Sequence, residues 1–339
     1  MRIDQPYLLF LGDAPDDLAA KTAAGIAQWR PEWCLGQLTL PGCRTTLGLP
    51  EMSIEDAAKA GVRTLVCGVA NRGGVIGQAW IDVFVRALQS GMDVAAGLHE
   101  RLVDIPTLAE TAAMHGCKLH DVRHPQGRYP VASGALRPGH RLLTVGTDCS
   151  VGKMYTALAI EREMRARGMK ADFRATGQTG ILIAGDGVSV DAVVADFIAG
   201  AAETIAPAND PDHWDLVEGQ GSLFHASYAG VSLGLLHGAQ PDALVLCHEP
   251  NRPHMRGIPH HSLPELEACM EANLAAARVT APATRFVGVA FNTRHLESTE
   301  AADLMAATAE RLELPCVDPV RTGVGPIVDR VRADFPSAV

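Results

Sequence analysis

The chain of 339 residues is predicted to fold as two α/β domains in tandem, each a parallel sheet with crossover helices. Three observations carry this. Strand and helix signals alternate along the chain. A Pro/Gly-rich stretch without periodicity, HPQGRYPVASGALRPGH at 124–140, interrupts them. Beyond it, a glycine-containing loop stands between a strand and a helix. The length agrees, since domains run to roughly 100–200 residues.

Taken in order, residues 7–11 form a short apolar strand and 17–28 a helix. Residues 62–69 (VRTLVCGV) read as a buried strand, and Asn71-Arg72-Gly73-Gly74 opens a helix that runs to Gln89. A strand at 94–98, a helix at 107–115 and a strand at 119–122 complete a Rossmann-like first domain over 1–130. Residues 131–140 are expected to be a linker. From 141 to 339 the alternation restarts, with strands at 141–145, 171–175, 216–218, 243–247 and 285–291. The clearest helices there lie at 154–167, 263–277 and 300–312, which makes a second, P-loop NTPase-like α/β domain.

Composition excludes several classes. A formal net charge of −10 without any Lys/Arg run argues against nucleic acid as a partner. Eight cysteines stand singly, without CxxC or Cys/His zinc spacing, so neither a disulfide framework nor a zinc ribbon is expected, and no metal is assigned. The N-terminal apolar run is too short and too soon broken by acids for a signal peptide, and no stretch reaches the ~20 apolar residues of a membrane span. A cytoplasmic protein without membrane partners is expected, forming homo-oligomers.

The segment Gly146-Thr147-Asp148-Cys149-Ser150-Val151-Gly152-Lys153-Met154 fits GxxxxGK in its strand–loop–helix context. Its glycines let backbone N–H groups converge on an anion, and the helix start adds partial positive charge. Met154 replaces the hydroxyl that ordinarily holds Mg²⁺. Asp148 repels a polyphosphate, so it either orients an amine or a metal or caps the loop.

Further polar sets follow other strands, at the end where an open α/β sheet binds ligands. Glu218-Gly219-Gln220-Gly221-Ser222 offers a carboxylate for a metal or for general base work. Arg174-Ala-Thr176-Gly-Gln178-Thr179-Gly suits a small polar ligand, with Arg174 as a carboxylate clamp. The run from His248 to His261, with Arg252, His254 and Arg256, packs four His and two Arg into fourteen residues. Asn292-Thr293-Arg294-His295 is a further strand-end set. Each has a plainer alternative, a helix cap, an ordinary β–α loop or a solvated surface loop.

These segments in this order resemble a bacterial family first described as a domain of unknown function, with members assigned as D-glutamate N-acetyltransferases. The likeness runs the length of the chain. The second half is also similar to dethiobiotin synthetase, whose loop likewise begins Gly-Thr-Asp and whose second motif is Glu-Gly; Met154 departs from it. The resemblance implies acetyl transfer from acetyl-CoA, as co-substrate, to the amine of D-glutamate. An ATP-dependent ligase or kinase using Mg-ATP is the alternative. On the first reading the loop amides and Lys153 hold a CoA phosphate, and an amide or Lys153 steadies the thioester oxyanion. Asp148 or Glu218 takes a proton from the substrate ammonium. Arg174, Arg252 and Arg256 meet the glutamate carboxylates, with Thr176, Gln178, Thr179, Gln220 and His254 lining the substrate.

Overall fold

The computed structural model describes residues 2–69, 76–125 and 127–336. The Asn71–Gly74 segment lies outside the described residues. In chain order the elements are β1 (Tyr7–Gly12), α1 (Lys21–Trp29), β2 (Cys34–Thr39), α2 (Ile54–Lys59), β3 (Thr64–Cys67), α3 (Gln78–Gln89), β4 (Asp93–Ala96), α4 (Pro106–His115) and β5 (Leu119–Asp121). Then come β6 (His140–Gly146), α5 (Lys153–Ala166), β7 (Ala171–Arg174), α6 (Gln178–Ala184), α7 (Ile198–Ile205), β8 (Trp214–Val217) and α8 (Ala229–Ala239). The chain finishes with β9 (Ala243–His248), α9 (Leu266–Ala277), β10 (Arg285–Phe291), α10 (Ser298–Leu312), β11 (Cys316–Val317) and α11 (Gly325–Asp334).

The first unit is a parallel five-stranded sheet in the order β2-β1-β3-β4-β5. Every residue of β1, YLLFLG, is buried, which is how a parallel strand covered on both faces reads. Helix α3 buries Trp80, Val83, Phe84, Ala87 and Leu88, the spacing of one helical face, and Phe10 meets Trp80 and Phe84 edge-on at 5.4 and 5.3 Å.

The second unit is a parallel six-stranded sheet in the order β11-β10-β9-β6-β8-β7. Strand β6 lies between β9 and β8, so the loops that leave β6, β8 and β9 emerge side by side at one end. The glycine loop follows β6, the Glu218 segment follows β8 and the His248 segment follows β9. Leu143, Val145, Leu244, Leu246, Val289 and Phe291 form part of the core beneath them.

Two boundaries differ from the expected ones. The compact units are Met1–Gly127 with Gly177–Ala192, and Arg128–Thr176 with Val193–Val339. The second domain is thus not one continuous stretch, because α6 belongs with the first unit. Its Ile181, Leu182 and Ile183 are buried there, Ile3 N–H donates to Gly185 O at 2.7 Å, and Ser189 Oγ donates to Val122 O at 2.9 Å. The expected linker is a strap on the second unit. Ser133 and Gly134 N–H both donate to Glu203 at 2.9 Å, and Arg137 Nη2 donates to Gly238 O at 2.8 Å. Its Pro and Gly mark irregular backbone, not freedom. Among the described residues no helix is long and apolar enough to cross a membrane.

Candidate active site

The loop after β6 is shaped to present amides. Thr147 N–H extends the sheet ladder to Cys247 O at 3.1 Å, and the turn is made by Ser150 at φ 55° and Gly152 at φ 103°, left-handed backbone that glycine adopts without strain. Gly152 is the N-cap of α5 without a side-chain cap, and the helix's first return bond is Thr156 N–H to Gly152 O at 2.9 Å. The amides of Lys153 and Met154 therefore have no acceptor inside the helix. Arg252 draws the carbonyls of Cys149 and Ser150 toward itself, at 2.7 and 3.1 Å. In planar trans peptides that turns the amides of Ser150 and Val151 the other way. The N–H groups of Ser150, Val151, Lys153 and Met154, gathered at a helix start, form an anion cradle.

Asp148 accepts a hydrogen bond from within its own loop, in line with the loop-capping alternative. Its carboxylate is 0% exposed; Oδ2 accepts from Arg252 Nη1 at 2.7 Å and from Arg256 N–H at 2.8 Å, and Oδ1 accepts from Cys149 N–H at 2.6 Å. Asp148, expected as a base or a loop cap, and Arg252, expected as a glutamate clamp, thus engage each other across the loop. Two residues that sequence reasoning missed complete the knot. Glu249, buried after β9, binds Arg252 and accepts from Arg294 Nη2 at 3.1 Å. His225 donates from Nε2 to Arg256 O at 3.0 Å and accepts from Ser227 N–H at Nδ1, 3.2 Å. A carboxylate directly after a strand was the available signal for Glu249; nothing local marks His225. Donor atoms of Asp148, Cys149 and His225 lie within 4.8 Å of one another, but the hydrogen bonds above already engage the carboxylate and the imidazole. Burial pushes the Cys149 thiol up, away from thiolate.

Lys153 and Glu218 are brought together. Lys153 is buried, its Nζ donates to Asp148 O at 2.8 Å, and loss of solvent lowers its pKa despite the pull of nearby Asp148 and Glu218. Glu218 Oε2 accepts from Thr176 N–H at 2.9 Å, Thr176 Oγ1 donates to Glu218 O at 2.6 Å, and Gln220 Nε2 donates to Thr176 Oγ1 at 3.1 Å. The next residue must be glycine, since a Cβ at Gly219 would lie 1.6 Å from Thr144 O and 3.0 Å from Lys153 Cδ. Ser222 Oγ, donating to Thr147 O at 3.1 Å, ties this loop to the cradle.

Several other expected residues have partners of their own. Arg174 ends β7, but its Nε donates to Asp215 Oδ1 at 2.7 Å, and Asp215 pairs in register with Asp172, two residues back along the strand. Its guanidinium thus turns away from the strand ends, against a buried carboxylate. Arg174→Gln is expected to cost about 2–3 kcal/mol in denaturant unfolding while leaving KM for an anionic substrate unchanged; a raised KM without lost stability would restore the clamp. Gln178 and Thr179 sit on α6 in the first unit, where Thr179 Oγ1 is 3.5 Å from Thr22 Oγ1. His254 donates from Nδ1 to Met255 O at 2.9 Å. Arg256 is exposed, its guanidinium in no ion pair among the described residues yet close enough to act electrostatically on Cys149.

Residues 38–125 match a family model described as a domain of unknown function, DUF1611_N, Rossmann-like domain; residues 130–328 match its companion, DUF1611_C, P-loop domain. A protein of Tritonibacter scottomollicae named D-glutamate N-acetyltransferase is 57% identical over 331 residues, covering 98% of this chain and 99% of that protein. One of the same name from Pseudoalteromonas sp is 49% identical over 328 residues, covering 97% and 99%. The crystal structure of a DUF1611 family protein from Anabaena variabilis is 33% identical, with a TM-score of 0.81 over 97% of this chain and 100% of that one. Matched in both halves and by relatives along its whole length, the chain belongs to the DUF1611 family, a Rossmann-like domain followed by a P-loop domain.

Proposed function

We propose that this protein transfers the acetyl group of acetyl-CoA to the amine of D-glutamate. The observation that carries the reading is the full-length likeness, at 57% and 49% identity, to two proteins named for that activity. The site supports it in three ways. The amides of Ser150, Val151, Lys153 and Met154 and the Lys153 ammonium suit a CoA phosphate, and Met154, where a magnesium-binding hydroxyl would stand, favours holding a phosphate over cleaving one. Glu218, whose Oε2 accepts from Thr176 N–H at 2.9 Å, supports the reading as a carboxylate able to accept the ammonium proton. Arg256, exposed and in no ion pair among the described residues, suits a substrate carboxylate. The amine adds to the thioester carbonyl and the sulfur leaves, giving N-acetyl-D-glutamate, free CoA thiol and one proton.

Thiol release from acetyl-CoA with D-glutamate, L-glutamate and other D-amino acids tests this, with release expected for D-glutamate. No thiol with any amine would remove the reading, and ADP formed from Mg-ATP would favour the ligase or kinase. Glu218→Gln is expected to lower kcat about 10²–10⁴-fold; undiminished turnover would remove it as the base.

A further inference from the structure

Strand β9 ends at His248 beside β6, and the side chain of Thr147 meets the imidazole there, Oγ1 to Nδ1 at 2.9 Å. Thr147 is 0% exposed. A buried hydroxyl places its proton on an acceptor, and among the described residues Nδ1 of His248 is the partner of Oγ1. A ring nitrogen that accepts carries no hydrogen, so the ring proton sits on Nε2. That nitrogen has no partner among the described residues, yet it is not among the buried atoms left without one, so it opens to solvent at the strand ends. Phe291 closes one side of the ring, edge-on at 5.9 Å. Burial first, then the Arg252 charge, pushes the pKa down to about 4, Glu249 opposing, so the ring is neutral at neutral pH.

We propose that His248 is a catalytic residue, donating a hydrogen bond from Nε2 to the thioester carbonyl oxygen as the amine attacks. This rests on the acetyl-transfer reading. As the C–N bond forms, the carbonyl π pair moves onto oxygen, where the Nε2–H meets it. The pair returns as the C–S bond breaks, and the CoA sulfur leaves with the electrons and takes the second proton, which the attacking nitrogen loses on becoming an amide. The ammonium proton passes to Glu218. A neutral imidazole serves here because it donates without carrying charge into a half-buried site, and its geometry is set before the reaction begins. Thr147 is a positioning residue, acting through the ring.

Long-range ¹H–¹⁵N NMR of the full chain at pH 7 is expected to show His248 as the Nε2–H tautomer. Thr147→Ser should keep that signature and Thr147→Val should mix the tautomers. His248→Leu should lower kcat about 10²-fold with KM for D-glutamate changed less than threefold, and His248→Gln, which keeps an N–H at that reach, should recover at least tenfold over leucine. An Nδ1–H tautomer or an imidazolium in the wild type would overturn the proposal. So would undiminished turnover of His248→Leu where the wild-type chain releases thiol. Absence of release by the wild-type chain would instead overturn the acetyl-transfer reading and this role with it.

Discussion

Arg252→Met is expected to lower the free energy of unfolding by about 3–5 kcal/mol, the range for stranding one partner of a buried ion pair. Asp148 is 0% exposed and the Arg252 side chain 13%, so water cannot replace the lost guanidinium. The two backbone donors from Cys149 and Arg256 would remain, but the charge would be uncompensated. The same change frees the carbonyls of Cys149 and Ser150, and with them the amides facing the other way. Turnover should therefore fall with stability. Asp148→Asn in the Arg252→Met background removes the stranded charge and should recover part of the stability without recovering turnover. Urea unfolding reads the first effect and thiol release the second. A loss under 1 kcal/mol for the single variant would mean the pair is not what holds the loop.

Lys153→Met should act in the opposite sense on the two readouts. Removing the ammonium from the cradle is expected to lower kcat/KM about 10²–10³-fold, the scale for losing one donor to a developing or bound anion. Stability of the ligand-free protein should not fall. Burial disfavours the lysine's charged form in the folded chain, so the unfolded chain holds this proton more tightly. The penalty is full below the lowered folded value and is relieved as pH rises from there toward the lysine's ordinary 10.5. A thermal melt series should thus show the methionine variant's advantage shrinking as pH rises. A variant that melts well below the wild type at pH 7, or that retains full activity, would contradict the assignment.

Much of the site was legible. The glycine loop, its strand and its helix were read to within a residue or two, because GxxxxGK, apolar runs and helical spacing are local patterns. Met154 and Glu218 were likewise visible as departures and strand-end placements. Long-range pairings were not legible: Arg174 and Arg252 read as carboxylate clamps and Asp148 as a base or a loop cap, whereas each pairs with a residue on another strand or loop. Helix α8 is not delimited by the sequence because AGVSLGLLHGA is apolar nearly all round and carries three glycines, so no amphipathic period marks it. The strap at 128–140 reads as a linker only if Glu203, 70 residues further on, is left out.

What the chain's own order settles is the kind of scaffold and the place of its anion cradle, since strands, helices and tight turns are decided by neighbours a few residues apart. Which charges remain available for chemistry is decided only when the sheet is assembled. Arg252 reaches Asp148 across 104 residues and Thr147 meets His248 across 101. Those pairings exist because β6 and β9 lie side by side, and desolvation there makes a carboxylate without its cation, or a hydroxyl without its acceptor, too costly to leave unmatched.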